Sequence, residues 1–184
     1  MTRAAVRTAA EEIRMLYGTT APFIGSSSQL GSDVVVLSKI HYALSDTKAR
    51  VFRSGSDQAI SATTETKVQF NGETFDPQAR FDAVTNYRFQ VSSTYAGYYL
   101  VAAQLSLTAP ASSSFYQVSI YKNGAKICLA QSLVPTGLGQ PSINIVDYIS
   151  LTTTDYIEIY VYLGVAASVV NGTDRSWAYF ARLF

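Results

Sequence analysis

Cysteine and histidine are each used once in these 184 residues. Cys128 has no second cysteine to pair with, so no disulfide closes within the chain and stability has to come from packing. It lies in the apolar run Ile127, Cys128, Leu129, Ala130, where a buried free thiol is the expectation. A Ser-His-Asp or Cys-His arrangement would have to recruit His41, which stands beside Tyr42 and far from Cys128 in sequence. A packed or surface histidine is the plainer reading. One histidine and one cysteine also fall short of a zinc site, and no Walker-type or dinucleotide-binding glycine loop is present. Charge is scarce as well: 15% of residues, against roughly 25% in average globular proteins, with a net charge of +1. Without clustered Lys and Arg, nucleic-acid binding loses its electrostatic driving force. Arg3, Arg7 and Arg14 form only a mild cluster, read as a solvated helix face.

No apolar run is long enough to span a bilayer, so no membrane insertion is expected. Residues 1–18 carry charges through their middle and do not read as a signal peptide. Release within a virus particle would place such a chain outside a cell without a leader. The carboxylates, among them Asp76, Asp82, Asp155 and Glu158, are scattered, and spacing pairs none of them for acid–base work. Their spacing does not match an EF-hand, although a loop calcium site stays open. No cofactor is expected.

What the chain has in abundance is Tyr, Val, Ile, Phe and Thr, with 48% hydrophobic residues and 13 tyrosines. Residues 2–17 read as a short helix, with Val6, Ala9 or Ala10, Ile13 and Leu16 or Tyr17 on one stripe, Thr2 as its cap and Gly18 at its end. Alone such a helix is marginal, so it needs a partner. Residues 19–32 are a Pro/Gly/Ser connector that leaves Phe23 and Ile24 as docking candidates. Residues 34–44 mix strand and helix signals and are read as a strand start passing into a short helix. From residue 49 onward the pattern is β. Asn71-Gly72, Asp76-Pro77, Asn123-Gly124, the segment 135–139 and Asn171-Gly172 supply turns. Residues 115–121 alternate, as do 156–162, where Ile157, Ile159 and Val161 face one way and Tyr156, Glu158, Tyr160 and Tyr162 the other. Short antiparallel strands at this spacing predict an all-β sandwich or jelly roll. Asn171-Gly172-Thr173 matches a glycosylation acceptor but is read as a turn.

The order of several short motifs over residues 49–184 resembles the C1q and tumour-necrosis-factor superfamily. Val68 to Phe70-Asn71 looks like the strand ending in that family's Phe-Asn pair, and Phe75-Asp76 like its aromatic-Asp turn. Asn86-Tyr87-Arg88-Phe89 looks like the segment ending in a buried Phe. Gly97-Tyr98-Tyr99-Leu100-Val101 looks like its Gly-x-Tyr run, with Tyr99 at the signature position. Val118 to Lys122-Asn123-Gly124 looks like the strand ending in Lys-Asn-Gly, residues 151–159 like the Leu-x-x-Gly-Asp-x-Val segment with Asp155 at the Asp, and 176–183 like the closing strand. Thr154 replaces the usual Gly before that Asp, the last strand lacks its Gly, and Ser92-Ser93-Thr94 stand where a Pro precedes Gly97. No collagen stalk is present.

The resemblance implies an antiparallel jelly roll that works as a homotrimer, with apolar and aromatic faces of one sheet meeting at a threefold axis. Tyr99, Val101, Tyr156, Glu158, Tyr160 and Tyr162 are the interface candidates, since Tyr buries a large ring while keeping its hydroxyl bonded. Filling the core of a single chain is the competing role for each. The loops 109–114, 134–142 and 165–175 are recognition candidates on a rigid scaffold. Trp177 is placed either in the core or on a sugar-stacking surface. The expected organisation is an N-terminal helix and linker over 1–48, holding attachment candidates Val6, Ile13, Leu16, Phe23 and Ile24, followed by a C1q-like domain over 49–184. The expected role is a non-enzymatic virion-surface protein of a bacteriophage: a head fibre, decoration protein or receptor-binding fibre tip. Expected partners are copies of itself, other virion proteins, and a host-surface glycan or protein. A bacterial surface adhesin or structural protein, and a glycan-hydrolysing surface protein, are the alternatives.

Overall fold

The computed structural model describes residues 47–92 and 94–183. The helix expected over 2–17, the connector, the mixed segment 34–44, His41 and the attachment candidates Val6, Ile13, Leu16, Phe23 and Ile24 all lie outside the described residues.

Two antiparallel sheets pack face to face. The first is ordered β10 (Ser142–Leu151), β7 (Gly97–Ser106), β13 (Trp177–Arg182), β1 (Lys48–Phe52), β4 (Gly72–Phe75). The second is ordered β5 (Phe81–Asp82), β6 (Arg88–Gln90), β11 (Tyr156–Leu163), β8 (Ser114–Lys122), β9 (Ala125–Val134), with β3 (Thr66–Lys67) also pairing β11. A third, two-stranded sheet joins β2 (Gln58–Ile60) to β12 (Ala167–Val169). Sequence neighbours repeatedly land in different sheets, as a jelly roll requires.

Period-two patterning fixes which way each strand faces. In β7, Tyr99, Val101, Ala103 and Leu105 point into the sandwich; in β11, Ile157, Ile159, Val161 and Leu163 do. β8 contributes Tyr116, Val118 and Ile120 and β13 Ala178 and Phe180, all without exposed surface. The Ile157 to Leu163 alternation seen in sequence is therefore the core-facing row of a strand paired on both sides, to β8 along its length and to β6 and β3 on the other edge.

Aromatic rings tie the sheets together. Phe180 of the first sheet stacks on Phe89 of the second, with centroids 4.8 Å apart and planes within 4°, and also meets Phe81 at 5.8 Å. Phe89 meets Tyr99 edge-on at 5.6 Å. The Tyr99 hydroxyl donates to the Tyr95 carbonyl at 2.6 Å, and burial pushes its pKa up to about 12.

The expected turns carry their chemistry. Asn123 and Gly124 both have positive φ, 53° and 78°, the backbone of a two-residue hairpin turn between β8 and β9. Gly72 serves a different purpose from the turn role expected of it. It opens β4, and a Cβ there would lie 2.6 Å from the Phe52 ring, so the ring's seat requires glycine. Asp76 accepts the Phe81 N–H at 2.6 Å through its carboxylate and the Ala79 N–H through its carbonyl, closing the Asp-Pro turn.

Asp155 joins three segments. Its carboxylate accepts from Asn123 Nδ2 at 2.7 Å, from the Thr152 N–H at 2.8 Å and hydroxyl at 2.9 Å, and pairs with Lys122 Nζ at 2.9 Å. Asn123 Oδ1 in turn accepts the Tyr156 N–H at 2.9 Å. Burial alone would raise the Asp155 pKa. The bonds from Asn123, Thr152 and Lys122 outweigh it and hold the carboxyl well below the ordinary carboxylate range.

Two stability predictions follow from these contacts. Phe180→Ala empties the ring stack and is expected to lower unfolding free energy by about 3–5 kcal/mol in urea titration; a loss near 1 kcal/mol would remove the stack from its central place. Asp155→Asn is expected to cost about 2 kcal/mol at pH 7. A folded-state pKa below the unfolded one contributes stability above the unfolded value, near pH 4, and loses it as pH falls towards the folded one. The wild-type advantage over Asp155→Asn should therefore shrink between about pH 5 and pH 3 (limits ~1 unit either side of the unfolded carboxylate pKa). An advantage unchanged across that range would show that charge is not what Asp155 contributes.

Candidate binding surfaces

The interface candidates separate into two groups. Tyr99 and Val101 have no exposed surface and fill the core of the chain itself, so they offer nothing to a second copy. The physical reason is parity: the strand that begins at Gly97 turns its odd residues inward. Tyr156, Glu158, Tyr160 and Tyr162 point outward from the centre of the second sheet, where their neighbours already cover them. Glu158 is buried in a 2.5 Å ion pair with Lys67. Tyr160 lies 4.2 Å from the Tyr121 ring, Lys67 sits over Tyr160 at 6.0 Å, and Arg88 sits over Tyr156 at 4.4 Å. Lys126 pairs with Glu65 at 2.7 Å beside Tyr121, whose pKa rises to about 12 through burial and its bond to Glu65. This face is a self-paired aromatic and ionic layer.

The large exposed apolar surface lies elsewhere. On the outward face of the first sheet, Tyr98 is 50% exposed, Val146 61% and Tyr148 66%. Register places Ala102 opposite Val146 and Leu100 opposite Tyr148, while Tyr179 lies opposite Ala102 on the other side. Half-buried Trp177 extends the row, with the Arg50 guanidinium 5.4 Å above its ring, and Phe75 meets Tyr179 edge-on at 6.2 Å. Trp177 is therefore a face residue rather than a core residue. A shallow cleft of about 300 Å³ opens between Trp177, Gln104, Asn144 and Val146 on this face.

A second apolar strip runs along β9, the last strand of its sheet. Ile127, Leu129 and Leu133 are exposed there, with Phe115 beside them on β8, and only one edge of β9 is paired. A ten-residue edge strand with exposed aliphatic side chains is a template for association unless something covers it. Cys128, expected to be buried, is half-buried on this strand; burial and the nearby Asp147 carboxylate raise its thiol pKa.

Sequence reading missed Tyr98, Val146, Tyr148, Leu129 and Leu133. In β7 both parities are apolar, so the pattern does not say which row faces out. The signal for β10 was available: Ile143, Ile145, Ile149 and Leu151 alternate with Ser142, Asn144, Val146, Tyr148 and Ser150.

The three candidate recognition loops gather at one end of the sandwich. β8 and β9 end there at Ser114 and Val134, β10 begins there at Ser142, and Thr136 N–H donates to Ser113 Oγ at 3.2 Å. Arg175 bonds Gln140, and Asn171 bonds Asp57 through its N–H at 2.9 Å, so the turn role read for Asn171-Gly172 holds. Thr47, where the described chain starts, lies at the other end, accepting the Arg182 N–H at 2.9 Å.

At that other end an open groove of about 490 Å³ runs between β5, β6 and the turn 152–155. It holds one carboxylate, Asp82, rather than a facing pair. Asp82 accepts the N–H groups of Val84, Thr85 and Asn86 and the Asn86 amide at 2.6 to 3.1 Å, which lowers its pKa to about 2. Among the described residues no cluster of three His, Cys, Asp or Glu side chains is placed to hold a metal ion.

No protein-family model matches the chain. In sequence it is 32% identical over 125 residues to the phage-like element PBSX protein XkdV of Bacillus subtilis (strain 168), a match covering 62% of this chain. The chain spans 17% of that relative's length. Among solved structures it is similar to Eiger TNF from S. frugiperda (TM-score 0.56, 10% identity, 74% of this chain and 92% of that one). It is equally similar to murine APRIL at pH 5.0 (TM-score 0.56, 16% identity, 74% and 98%). The described residues thus form a TNF-like jelly roll, in a chain whose sequence resembles part of a phage-like element protein.

Proposed function

We propose that this chain is a non-enzymatic, homotrimeric structural and binding protein on the surface of a phage or phage-like particle: a head fibre, decoration protein or receptor-binding tip. The observation that carries the reading is the continuous apolar face of Tyr98, Val146, Tyr148, Tyr179 and Trp177 beside the open β9 edge. Exposed apolar area of this kind on a low-charge chain marks an association surface. A closed ring in which the β9 edge of one copy lies against the first-sheet face of the next covers both surfaces in every copy. The similarity to the PBSX protein supports the particle setting. In this reading residues 1–48 attach the trimer to other virion proteins through Val6, Ile13, Leu16, Phe23 and Ile24, and the loops at the far end from Thr47 meet the host surface.

Light scattering on the full-length protein is expected to give about 60 kDa, three times the 20.0 kDa chain. Val146→Lys with Tyr148→Lys places two charges in the proposed contact and is expected to yield monomers at micromolar concentration. Tyr160→Ser, on the self-paired face, is expected to stay trimeric. A wild-type monomer, or a double variant that keeps the wild-type mass, would overturn the interface. On a density gradient the protein is expected to sediment with intact particles; recovery in the soluble fraction alone would overturn the virion setting.

A further inference from the structure

We propose that the groove between β5, β6 and the turn 152–155 binds an anionic saccharide, with Arg80 and Arg88 holding its carboxylate or phosphate oxygens. The groove lies at the Thr47 end, opposite the loops set against the host surface in the proposed function, so it is a separate site that goes beyond that reading.

Two guanidinium groups line this one groove. Each is fixed over an aromatic ring: Arg88 4.4 Å from the Tyr156 centroid and Arg80 6.0 Å from that of Tyr95. Among the described residues each makes a single hydrogen bond, Arg88 Nη2 to Gln90 Oε1 at 3.0 Å and Arg80 Nε to the Gln78 carbonyl at 3.0 Å. Arginine has five N–H donors in a rigid fork, so most of each fork is left for an oxyanion. Asp82 adds one negative charge, but its carboxylate accepts from the four N–H groups of its own turn and, among the described residues, forms no ion pair with either arginine. Two cations against one carboxylate leave the groove net positive, and it favours a negatively charged occupant.

The rest of the lining selects the kind of anion. Asn86, Gln90, Ser92, Thr153 and Thr154 bring amides and hydroxyls, the groups that pair with sugar hydroxyls. The apolar members Phe81 and Val91 are buried, with 6% and 2% of their surface exposed, so the groove has no socket for an aromatic or aliphatic anchor. Protein segments dock mainly through such anchors. A hydrophilic ligand with repeated hydroxyls and an acidic group matches both features, and the volume falls in the ~300–1,000 Å³ range of small-ligand clefts.

The backbone gives an independent indication. Among the described residues five non-glycine positions have positive φ, and three belong to this site: Ala79 (49°) and Thr154 (73°) line the groove, and Tyr87 (49°) lies between lining residues Asn86 and Arg88. A β-branched residue at such a φ is an outlier, and outliers of this kind gather at ligand sites. Thr154 brings a hydroxyl to the groove at a position where glycine would relieve the backbone.

The test is biolayer interferometry of full-length protein on four immobilised polymers: polygalacturonate, poly(glycerol phosphate), neutral dextran and poly-L-glutamate. Binding to one or both of the first two, and not to dextran, is expected; which of them binds distinguishes a carboxylate from a phosphate source. Arg80→Gln and Arg88→Gln are each expected to weaken that binding at least tenfold, whereas Arg53→Gln, whose guanidinium bonds the Ser56 and Gln69 carbonyls and does not line the groove, is expected to change it less than threefold. Circular dichroism and mass on the same samples confirm folding and assembly. A folded trimer that binds neither anionic polymer overturns the groove while leaving the trimer standing. Equal loss in Arg53→Gln, equal binding to dextran, or no loss in the groove variants overturns it as well. Arginine-dependent binding to poly-L-glutamate at equal strength would assign the groove to an acidic protein segment instead.

Discussion

The contact between Phe180 and Phe89 is the one on which the rest of the molecule depends. With no disulfide available, the two sheets hold together only through what they bury, and in this stack fully buried rings of both meet. It fixes the inward row of β13 and β6, and through β13 the parity of its neighbours β7 and β1 follows. A one-residue slip in any of them would turn a core row out to solvent. Tyr99 belongs to the same cluster and shows how a polar atom is accommodated there: the ring packs, and the hydroxyl reaches the Tyr95 carbonyl.

Once the inward rows are fixed, the outward rows have no freedom, and they differ in kind. The second sheet turns out tyrosines laced with the ion pairs Lys67–Glu158 and Lys126–Glu65, with Arg88 over Tyr156. The first sheet turns out Tyr98, Val146, Tyr148 and Trp177, with Arg50 over the Trp177 ring. The ion pairs of the described residues thus lie in the second sheet and the turns that flank it, whereas the outward row of the first sheet stays apolar.

The fold was legible in the sequence because its evidence is local and repeated. Alternation over 115–121 and 156–162, the Asn123-Gly124 turn and the Asp155 position each depend on neighbours a few residues away, and all point to one architecture. The exposed apolar face was not legible for the same reason. The stretch Gly97 to Ser106 is apolar on both parities, so nothing within it distinguishes Tyr98 from Tyr99; that choice is made by Phe180 and Phe89, distant in sequence. Tyr156, Tyr160 and Tyr162 read as an exposed stripe because the residues that cover them, Lys67, Arg88 and Tyr121, come from other strands. The groove was hidden more completely, since Arg80, Arg88 and Thr154 share no motif and meet only where β5, β6 and the turn after β10 converge.

The ends of the sandwich divide the work further. The end with loops 109–114, 135–141 and 164–175 is built from small residues and turns whose hydrogen bonds run largely between the loops themselves, as from Thr136 to Ser113 and from Arg175 to Gln140. Such loops present shape more than charge. The other end carries Asp155 with its three-segment network, the strained Thr154 next to it, and the two arginines. The adjacency has a mechanical sense. Asp155 is pinned through its carboxylate by Asn123, Thr152 and Lys122, and through its carbonyl by the Val91 N–H. A residue held that firmly can force its neighbour into a backbone region that threonine otherwise avoids. The buried carboxylate that closes the end of the jelly roll thereby also sets the wall of the groove beside it, so the same network that stabilises the fold shapes a polar cleft.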